Sequence, residues 1–344
     1  MSRVADKHRR ATLHDVAQLA GVSHQTVSRV VNGHPSVAAA TRTRVVEAIR
    51  RLDYAPNRVA QSLATRRSRT VGIIGYGTTH YGPSQMVANV EAGLRAQGYA
   101  LVYATVPDLS DDGLRKQIAA LRNQLIDGLV LVTPVGGGHL MQTSDFIRLP
   151  FVMIDPMLGE HVPSVVIDQQ YGARLATQHL IDAGHTAICE ITGPLDWSGA
   201  KQRHDGWLAA LADAGLTPGV SAEGAWTSAS GYQAARRVLD ANERFTALFV
   251  GNDQMALGAI RALRERGARV PQDVSIVGFD DIPEAAYFEP PLTTVRQDFA
   301  TLGQQAVDLL LARIEAPDAP PHQRVLYPKL IERASVMRVA VVSS

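Results

Sequence analysis

The segment GVSHQTVSRVVNG, residues 21–33, combines a helical apolar stripe with an unusual set of short polar side chains. Val22, Val27, Val30 and Val31 are spaced to pack on one side of a helix. The polar residues left for the outer side are Ser23, His24, Gln25, Ser28, Arg29 and Asn32. In a DNA major groove glutamine can pair with adenine, arginine can reach guanine, and serine can bond phosphate or base edges. The segment therefore favours contact with the edges of base pairs.

Two further helices must hold this segment in place. Thr12 can cap a helix over residues 13–20, and Gly21 can end it with a positive φ. Ser23 can cap the second helix, and an apolar stripe predicts a third helix within residues 41–54. This order predicts a helix-turn-helix unit that binds DNA. The alternative is a helical hairpin that contacts protein.

Charge is distributed unevenly between two parts of the chain. Residues 1–70 contain 13 Lys and Arg against 4 Asp and Glu, a net charge of +9. Residues 71–344 contain 21 Lys and Arg against 29 Asp and Glu, a net charge of −8. A basic module joined to an acidic body indicates a polyanionic partner for the first part only.

A short helix is predicted between Pro56, which breaks the third helix, and the basic run TRRSR at residues 65–69. Asn57 can cap RVAQSLA, residues 58–64. Isolated helices below about 12 residues are marginal in water, so the order of this one is expected to depend on binding.

The body alternates apolar runs with amphipathic helices, such as those predicted over residues 84–97, 112–123 and 172–183. Continuous apolar runs are typical of parallel strands covered on both faces, and the alternation predicts βαβ units. The predicted strands lie in TVGIIGYG, YALVYATV, DGLVLVTP, PFVMIDP, SVVIDQQ, TAICEITGP, TALFVGND and VSIVGFDD. The fold class predicted for the whole chain is a small all-α helix-turn-helix domain followed by a two-lobed α/β core with parallel sheets.

Polar residues follow several of these strands, where open parallel sheets bind their ligands. They include Asp155, the pair Asn252-Asp253 and the pair Asp280-Asp281. Acidic and amide groups can bond pairs of hydroxyls, Arg203 supplies a rigid donor fork, and Trp226 offers a flat apolar face. Together they indicate a site for a neutral sugar, although each Asp alone is better explained as a helix cap.

The blocks TLHDVAQLAGVSHQTVSRVVNG and YAPNRVAQSLA resemble the lactose/galactose repressor (LacI/GalR) family of bacterial transcription regulators. The resemblance implies that Leu63 is a wedge in the minor groove, that Asn57 and Gln61 place the hinge helix, and that Ala60 packs against its partner in the dimer. The DNA contacts it implies are Thr12, Leu13, Ser23, His24, Gln25, Ser28, Arg29, Asn32, Thr41, Tyr54, Asn57, Ala60, Gln61 and Leu63. Ala38 departs from the family, in which serine often caps the third helix. His24 stands where base preference is read, so no operator sequence can be transferred.

The resemblance extends over residues 11–340, through GPSQMVA, GYQAARRVLD, GNDQMALGAIRAL, VSIVGFDD and PPLTTVRQDF. It implies a core of periplasmic-sugar-binding-protein type, in which three crossovers join two lobes with an inducer between them. The ligand-binding residues it implies are Pro83, Met86, Asp155, Arg203, Trp226, Asn252, Asp280, Gln297 and Phe299. Gly199, Ile167 and His80 depart from the family pattern in the pocket wall, and Glu91 departs at a subunit interface.

The predicted domains are a helix-turn-helix domain at residues 11–56, a hinge and linker at 57–70, and an effector-binding and dimerisation core at 71–340. Within the core, the N-lobe is predicted at about 71–167 and 299–326, and the C-lobe at about 168–296 and 327–340.

Other classes of protein are disfavoured. Cys189 is the only cysteine, so neither an internal disulfide nor a cysteine metal cage is possible. No apolar run predicts a membrane span or a signal peptide, so a cytoplasmic protein is expected, nucleoid-associated when bound to its operator. No histidine pair has metal-ligand spacing and no nucleophile motif occurs, so no metal, cofactor or catalytic residue is predicted. GYGTTHYG is not a dinucleotide loop, because His80 stands at the third glycine position.

The predicted function is repression of a carbohydrate-utilisation operon, with release from operator DNA by a small, galactoside-like sugar. The end of the chain, ASVMRVAVVSS, lacks the leucine heptads on which tetrameric members depend, so a homodimer is expected. The alternatives are a regulator that responds to a purine or another metabolite, a sugar-binding transport receptor, and a DNA-tethered enzyme.

Overall fold

A computed structural model describes residues 11–31, 34–54, 67–106, 111–133, 149–154, 161–241 and 243–339. The chain separates into two compact units, residues 1–68 and residues 69–344. Each unit has its own apolar core.

The described residues of the first unit form three helices: α1 (Leu13–Ala20), α2 (His24–Val31) and α3 (Ala39–Arg51). The predicted caps are confirmed. Thr12 accepts a hydrogen bond from the Asp15 amide at 3.3 Å, and Ser23 accepts one from the Thr26 amide at 3.2 Å. Gly21 ends α1 at φ 63°, in the left-handed region that glycine adopts without strain. Buried valines of all three helices form the core of this unit.

The first turn of α3 lacks a side-chain cap. The cap position is Ala38, and no side chain there bonds the free amides of the turn. Ala38→Ser is expected to stabilise α3 by about 1 kcal/mol, because a serine hydroxyl can accept from those amides. The measurement is amide hydrogen exchange of α3 in the full-length protein. Ala40→Ser, the same change inside the helix, is the matched control, and an equal gain in protection there would contradict the capping argument.

The second unit contains two six-stranded sheets. The first holds β1 (Thr70–Gly75), β2 (Ala100–Thr105), β3 (Gly128–Val132), β4 (Phe151–Ile154), β5 (Ser164–Ile167) and β11 (Gln323–Leu326), in the order β11-β5-β4-β3-β1-β2. The second holds β6 (Ile188–Thr192), β7 (Ser221–Glu223), β8 (Ala247–Val250), β9 (Ser275–Asp280), β10 (Thr293–Arg296) and β12 (Lys329–Ile331), in the order β12-β10-β9-β8-β6-β7. Neighbouring strands are parallel except β10 and β12, which are antiparallel.

Helices connect these strands and cover the sheets, as in βαβ units. They are α4 (Tyr81–Ala96), α5 (Asp111–Arg122), α6 (Gln169–Asp182), α7 (Ser198–Asp213), α8 (Ser228–Asp240), α9 (Asp253–Glu265) and α10 (Phe299–Glu315), with a 3-10 turn at Pro283–Tyr287. The chain passes between the sheets after β5, after β10 and after β11, which makes three crossings. Both faces of the central strands are buried.

The predicted fold class is confirmed, with corrections to individual elements. Helix α4 begins three residues earlier than predicted, at Tyr81, and α6 begins at Gln169 because Asp168 caps it. The third helix of the first unit also begins earlier, at Ala39. Within the described residues, no helix is both long and apolar enough to cross a membrane.

Candidate ligand cleft and nucleic-acid interface

A cleft of about 50 Å³ lies where strands of both sheets end. One wall comes from the loop after β1 and the start of α4, and includes Pro83 and Met86. The other wall comes from the ends of β8 and β9 and from α7, and includes Asn252, Asp280 and Arg203. The cleft is smaller than the 300–1,000 Å³ typical of small-molecule sites.

Arg203 is the centre of a buried hydrogen-bond network in the cleft. Its guanidinium donates to the Gly251 carbonyl, to Gln169 Oε1 at 2.9 Å and to Asp280 Oδ1 at 3.5 Å. Gln297 Nε2 donates to the same Asp280 oxygen at 2.6 Å. Since the side chain of Arg203 is only 9% exposed, this network fixes a rigid fork of donors beside a carboxylate acceptor.

Asp280 has an unusual electrostatic environment. Burial raises the pKa of its carboxyl to about 6, although Arg203 and Gln297 lower it. Its backbone lies at φ 109°, outside the regions that L-residues commonly adopt. Asp253, which accepts from the Ile282 amide at 2.9 Å, also has its pKa raised well above its ordinary value, first by burial and then by the Asp280 charge. The Asp280 carboxyl therefore gains or loses its proton near pH 6.

Trp226 lies against this network. Its ring centroid is 5.5 Å from the Arg203 guanidinium carbon, and its side chain is almost fully buried. The indole Nε1 is buried without an acceptor among the described residues. Its φ of 65° costs about 1–3 kcal/mol for a bulky residue, and such strain concentrates at binding sites. Asn252, which caps α9 through Oδ1, donates from Nδ2 to the Trp226 carbonyl at 3.1 Å and holds this strained turn.

The first unit presents a second candidate site on the outer side of α2. Ser23, His24, Gln25 and Arg29 are exposed, and Ser28 is half-buried. Val27 and Val30 on the opposite side are buried in the core. Helix α2 therefore holds a row of hydrogen-bonding side chains outward on a rigid support, as base-edge recognition requires.

Comparisons with known proteins identify the family to which the chain belongs. A family model described as bacterial regulatory proteins, lacI family, matches residues 12–57, and one described as a periplasmic binding protein-like domain matches residues 177–336. The lactose operon repressor of Escherichia coli K12 is 36% identical over 95% of this chain and 91% of its own length. The chain belongs to the lacI family.

Two further relatives extend the comparison. The transcriptional repressor PurR of Haemophilus influenzae PittEE is 39% identical over 96% of this chain and 99% of its own. A crystal structure of the lac repressor dimer bound to operator and an anti-inducer has a TM-score of 0.86 at 35% identity, covering 96% of this chain and 100% of that one. The predicted class of protein, a DNA-binding transcription regulator, is thereby confirmed.

The cleft gathers most of the ligand-binding residues that the resemblance to the lacI family implies. Those that line it are Pro83, Met86, Arg203, Trp226, Asn252, Asp280 and Gln297. Phe299 lies behind this lining, with its ring 6.0 Å from that of Tyr81, and Asp155 is outside the described residues. Of the departures from the family pattern, His80 and Gly199 line the cleft, whereas Ile167 is buried in the apolar core.

Sequence reasoning missed two aromatic residues of the lining, Tyr81 and Trp197. Both stand at helix starts that follow a strand, Tyr81 as the first residue of α4 and Trp197 as the cap of α7. Their position at the turn between a strand and a helix could have identified both residues from the sequence, because ligand sites of parallel sheets are built from such turns.

Several predicted DNA contacts of this lacI-family chain have other roles in the structure. The Thr12 hydroxyl donates to Asp15 at 2.7 Å within its cap, and Leu13 packs against the core. Thr41 is half-buried, and Tyr54 is buried in the core rather than on the exposed face. Asn32, Asn57, Ala60, Gln61 and Leu63 are outside the described residues.

Two arrangements considered from the sequence, a metal site and an acid–base pair, can be compared with the part of the chain that the structure describes. No group of three His, Cys, Asp or Glu side chains could hold a metal ion there. Asp281 does not join Asp280 as an acid–base pair, because its oxygens accept from Arg296 at 2.6 Å and from Arg333 at 2.7 Å.

Proposed function

We propose that this lacI-family chain represses transcription as a homodimer bound to operator DNA, and that a neutral sugar in the cleft releases it. The observation that carries the sugar assignment is the buried Arg203–Asp280–Gln297 network beside Trp226. Planar groups of this kind bond adjacent hydroxyls in pairs, and an indole face covers the apolar side of a sugar ring. The unpaired Trp226 Nε1 adds a donor that a ligand oxygen would satisfy.

The relatives support this proposal. They are repressors of the lactose and purine systems, and one solved neighbour, 36% identical with a TM-score of 0.71, is a transcriptional regulator CelR–cellobiose complex. We assign DNA contacts to the α2 residues Gln25 and Arg29, aided by His24, Ser23 and Ser28, and to the hinge segment that contains Leu63. The protein would act in the cytoplasm, where its operator lies, and would need no catalytic step.

The proposed mechanism couples the cleft to DNA through the relative position of the two lobes. A ligand that binds one lobe arrangement better shifts the population toward it by no more than its differential affinity, typically about 1–3 kcal/mol. The hinge predicted over residues 57–70, most of which lies outside the described residues, would carry this change to the DNA-binding unit. The domains would then be a DNA reader at 11–56 and a sensor at 71–340.

Effector affinity is expected to fall as the pH drops through about 6, the pKa of Asp280. A sugar hydroxyl donates its proton to the carboxylate, so protonation of Asp280 removes an acceptor and weakens binding. Because the folded pKa lies above its ordinary value of 3.8, the ionised carboxyl also destabilises the unliganded fold as the pH rises through about 6. Titration calorimetry on both sides of that pH tests this, and Asp280→Asn should bind weakly at every pH. A native affinity that does not change with pH would remove Asp280 from the ligand contacts.

A thermal-shift screen of the full-length protein tests the class of effector. A ligand bound only by the native state raises the melting temperature, by mass action. The panel contains hexoses, pentoses, disaccharides and the purines hypoxanthine and guanine. Stabilisation by a saccharide supports the proposal, whereas stabilisation by a purine alone would assign the chain to the alternative, a purine-responsive regulator.

A further inference from the structure

The cleft continues outward from its polar centre as a row of aromatic rings. Trp226 is nearly fully buried beside Arg203, and its ring centroid is 5.7 Å from that of Trp197. Trp197 is half-buried, and its centroid is 5.9 Å from Tyr76 and 5.4 Å from His80. From the buried Trp226 the row passes to the half-buried Trp197 and His80, which also line the cleft, whereas Tyr76 lies beside Trp197 and outside that lining.

Charge and polarity differ between the two ends of the cleft. Among the lining residues in the described part of the chain, the charged side chains are Arg203 and Asp280, both at the inner end. At the outer end, burial lowers the pKa of His80, so that its ring remains uncharged at neutral pH. Hydrogen bonding thus concentrates at the inner end, and apolar ring faces concentrate at the outer end.

The Trp197 ring packs against a glycine of the opposite wall of the cleft. Its indole reaches from the start of α7 across the cleft to Gly77, in the loop after β1, where a Cβ would overlap the ring. Gly77 has φ 65°, so glycine is required there both for space and for conformation. Trp197 thus packs against the apolar core beside Trp226 with part of its ring and lines the cleft with the rest.

We infer that Trp197, with Tyr76 and His80 beside it, forms an outer subsite for the second ring of a disaccharide. This rests on the proposed function, in which the first ring binds at Arg203, Asp280 and Trp226. A ring held there contacts Trp226, and Trp197 is the next ring of the cleft lining. A second, glycosidically linked ring can place its apolar face on Trp197, which a monosaccharide bound at Arg203 does not reach. Trp197 is thus a specificity-determining residue that selects ligand length.

Titration calorimetry of the full-length protein tests this with glucose, galactose, cellobiose, lactose and melibiose. We expect at least one disaccharide to bind about tenfold more tightly than either of its component monosaccharides, since one aromatic contact contributes at this level. In Trp197→Ala that ratio is expected to fall to about one. Trp197→Phe should keep most of the ratio. Leu195→Ala, an exposed apolar residue in the same loop, is the matched control and should keep all of it.

The outcomes separate this inference from the proposed function. If no saccharide binds the native protein, the sugar assignment fails and the subsite fails with it. If monosaccharides bind as tightly as every disaccharide, or if Trp197→Ala keeps the native ratio, only the subsite is rejected. If Trp197→Ala binds disaccharides more tightly than the native protein does, Trp197 limits ligand length instead of extending the site, and the inference is overturned.

Discussion

Arg203→Ala is expected to abolish the response of the protein to its effector while operator binding persists. The guanidinium donates to three acceptors and lies beside the Asp280 carboxylate in a buried site. Hydrogen bonds to charged groups contribute about 1.5–3 kcal/mol each, so the loss should weaken effector affinity by roughly 10- to 150-fold. Calorimetry gives the affinity, and anisotropy of a labelled operator duplex gives the response.

Two further variants make this result interpretable. Arg296→Ala removes a guanidinium that bonds Asp281 outside the cleft lining, so it should leave the effector response intact. Arg203→Lys keeps the charge but not the fork, and should recover only part of the affinity. Circular dichroism shows whether each variant is folded. Normal induction in a folded Arg203→Ala protein would exclude Arg203 from the effector site.

Substitutions on the outer side of α2 are expected to reduce sequence-specific DNA binding. Gln25 and Arg29 are exposed, and a bidentate pair with the correct base contributes about 1–3 kcal/mol of discrimination. Gln25→Ala and Arg29→Ala should each weaken operator binding by roughly 5- to 150-fold. Binding to an unrelated duplex should change little for Gln25→Ala, which removes no charge.

The control for lost charge is Arg50→Ala on α3. Arg50 is exposed and its ion pair with Glu47 is local to that helix, so its loss should reduce affinity for all duplexes to a similar, small extent. Equal losses for operator and unrelated DNA in the α2 variants would indicate that α2 contacts only the phosphate backbone.

The sequence was sufficient to predict the strands that are marked by a local run of apolar residues. All eight predicted strands are present, because each is a run of apolar residues, and all except the edge strand β2 are buried on both faces. Four strands were not predicted: β7, β10, β11 and β12. At the sheet edges, β7 has one buried residue between two exposed ones, and β11 has only half-buried and exposed residues. Strand β10 reads TTVR, in which buried threonines conceal the apolar pattern. Their pairing is set by distant parts of the chain.

The residues of the site differ in the same way. Some could be predicted from the local sequence, and others depend on contacts between distant parts of the chain. The residues at strand ends were found because parallel topology brings them to one edge. Trp197 was missed because its role depends on a contact with Gly77, 120 positions earlier in the chain. The resemblance implies a DNA contact for Tyr54, which stays a prediction, whereas its burial in the helix-turn-helix core could only be read from packing.

The central claim is that ligand in the cleft weakens the hold of the first unit on operator DNA. The most direct measurement is the affinity of the full-length protein for an operator duplex, selected from a random library, with and without the ligand that the screen identifies, at one salt concentration. We predict that saturating ligand weakens operator binding by about 5- to 150-fold and leaves binding to an unrelated duplex unchanged. Equal operator affinity with and without a ligand that demonstrably occupies the cleft would contradict the account.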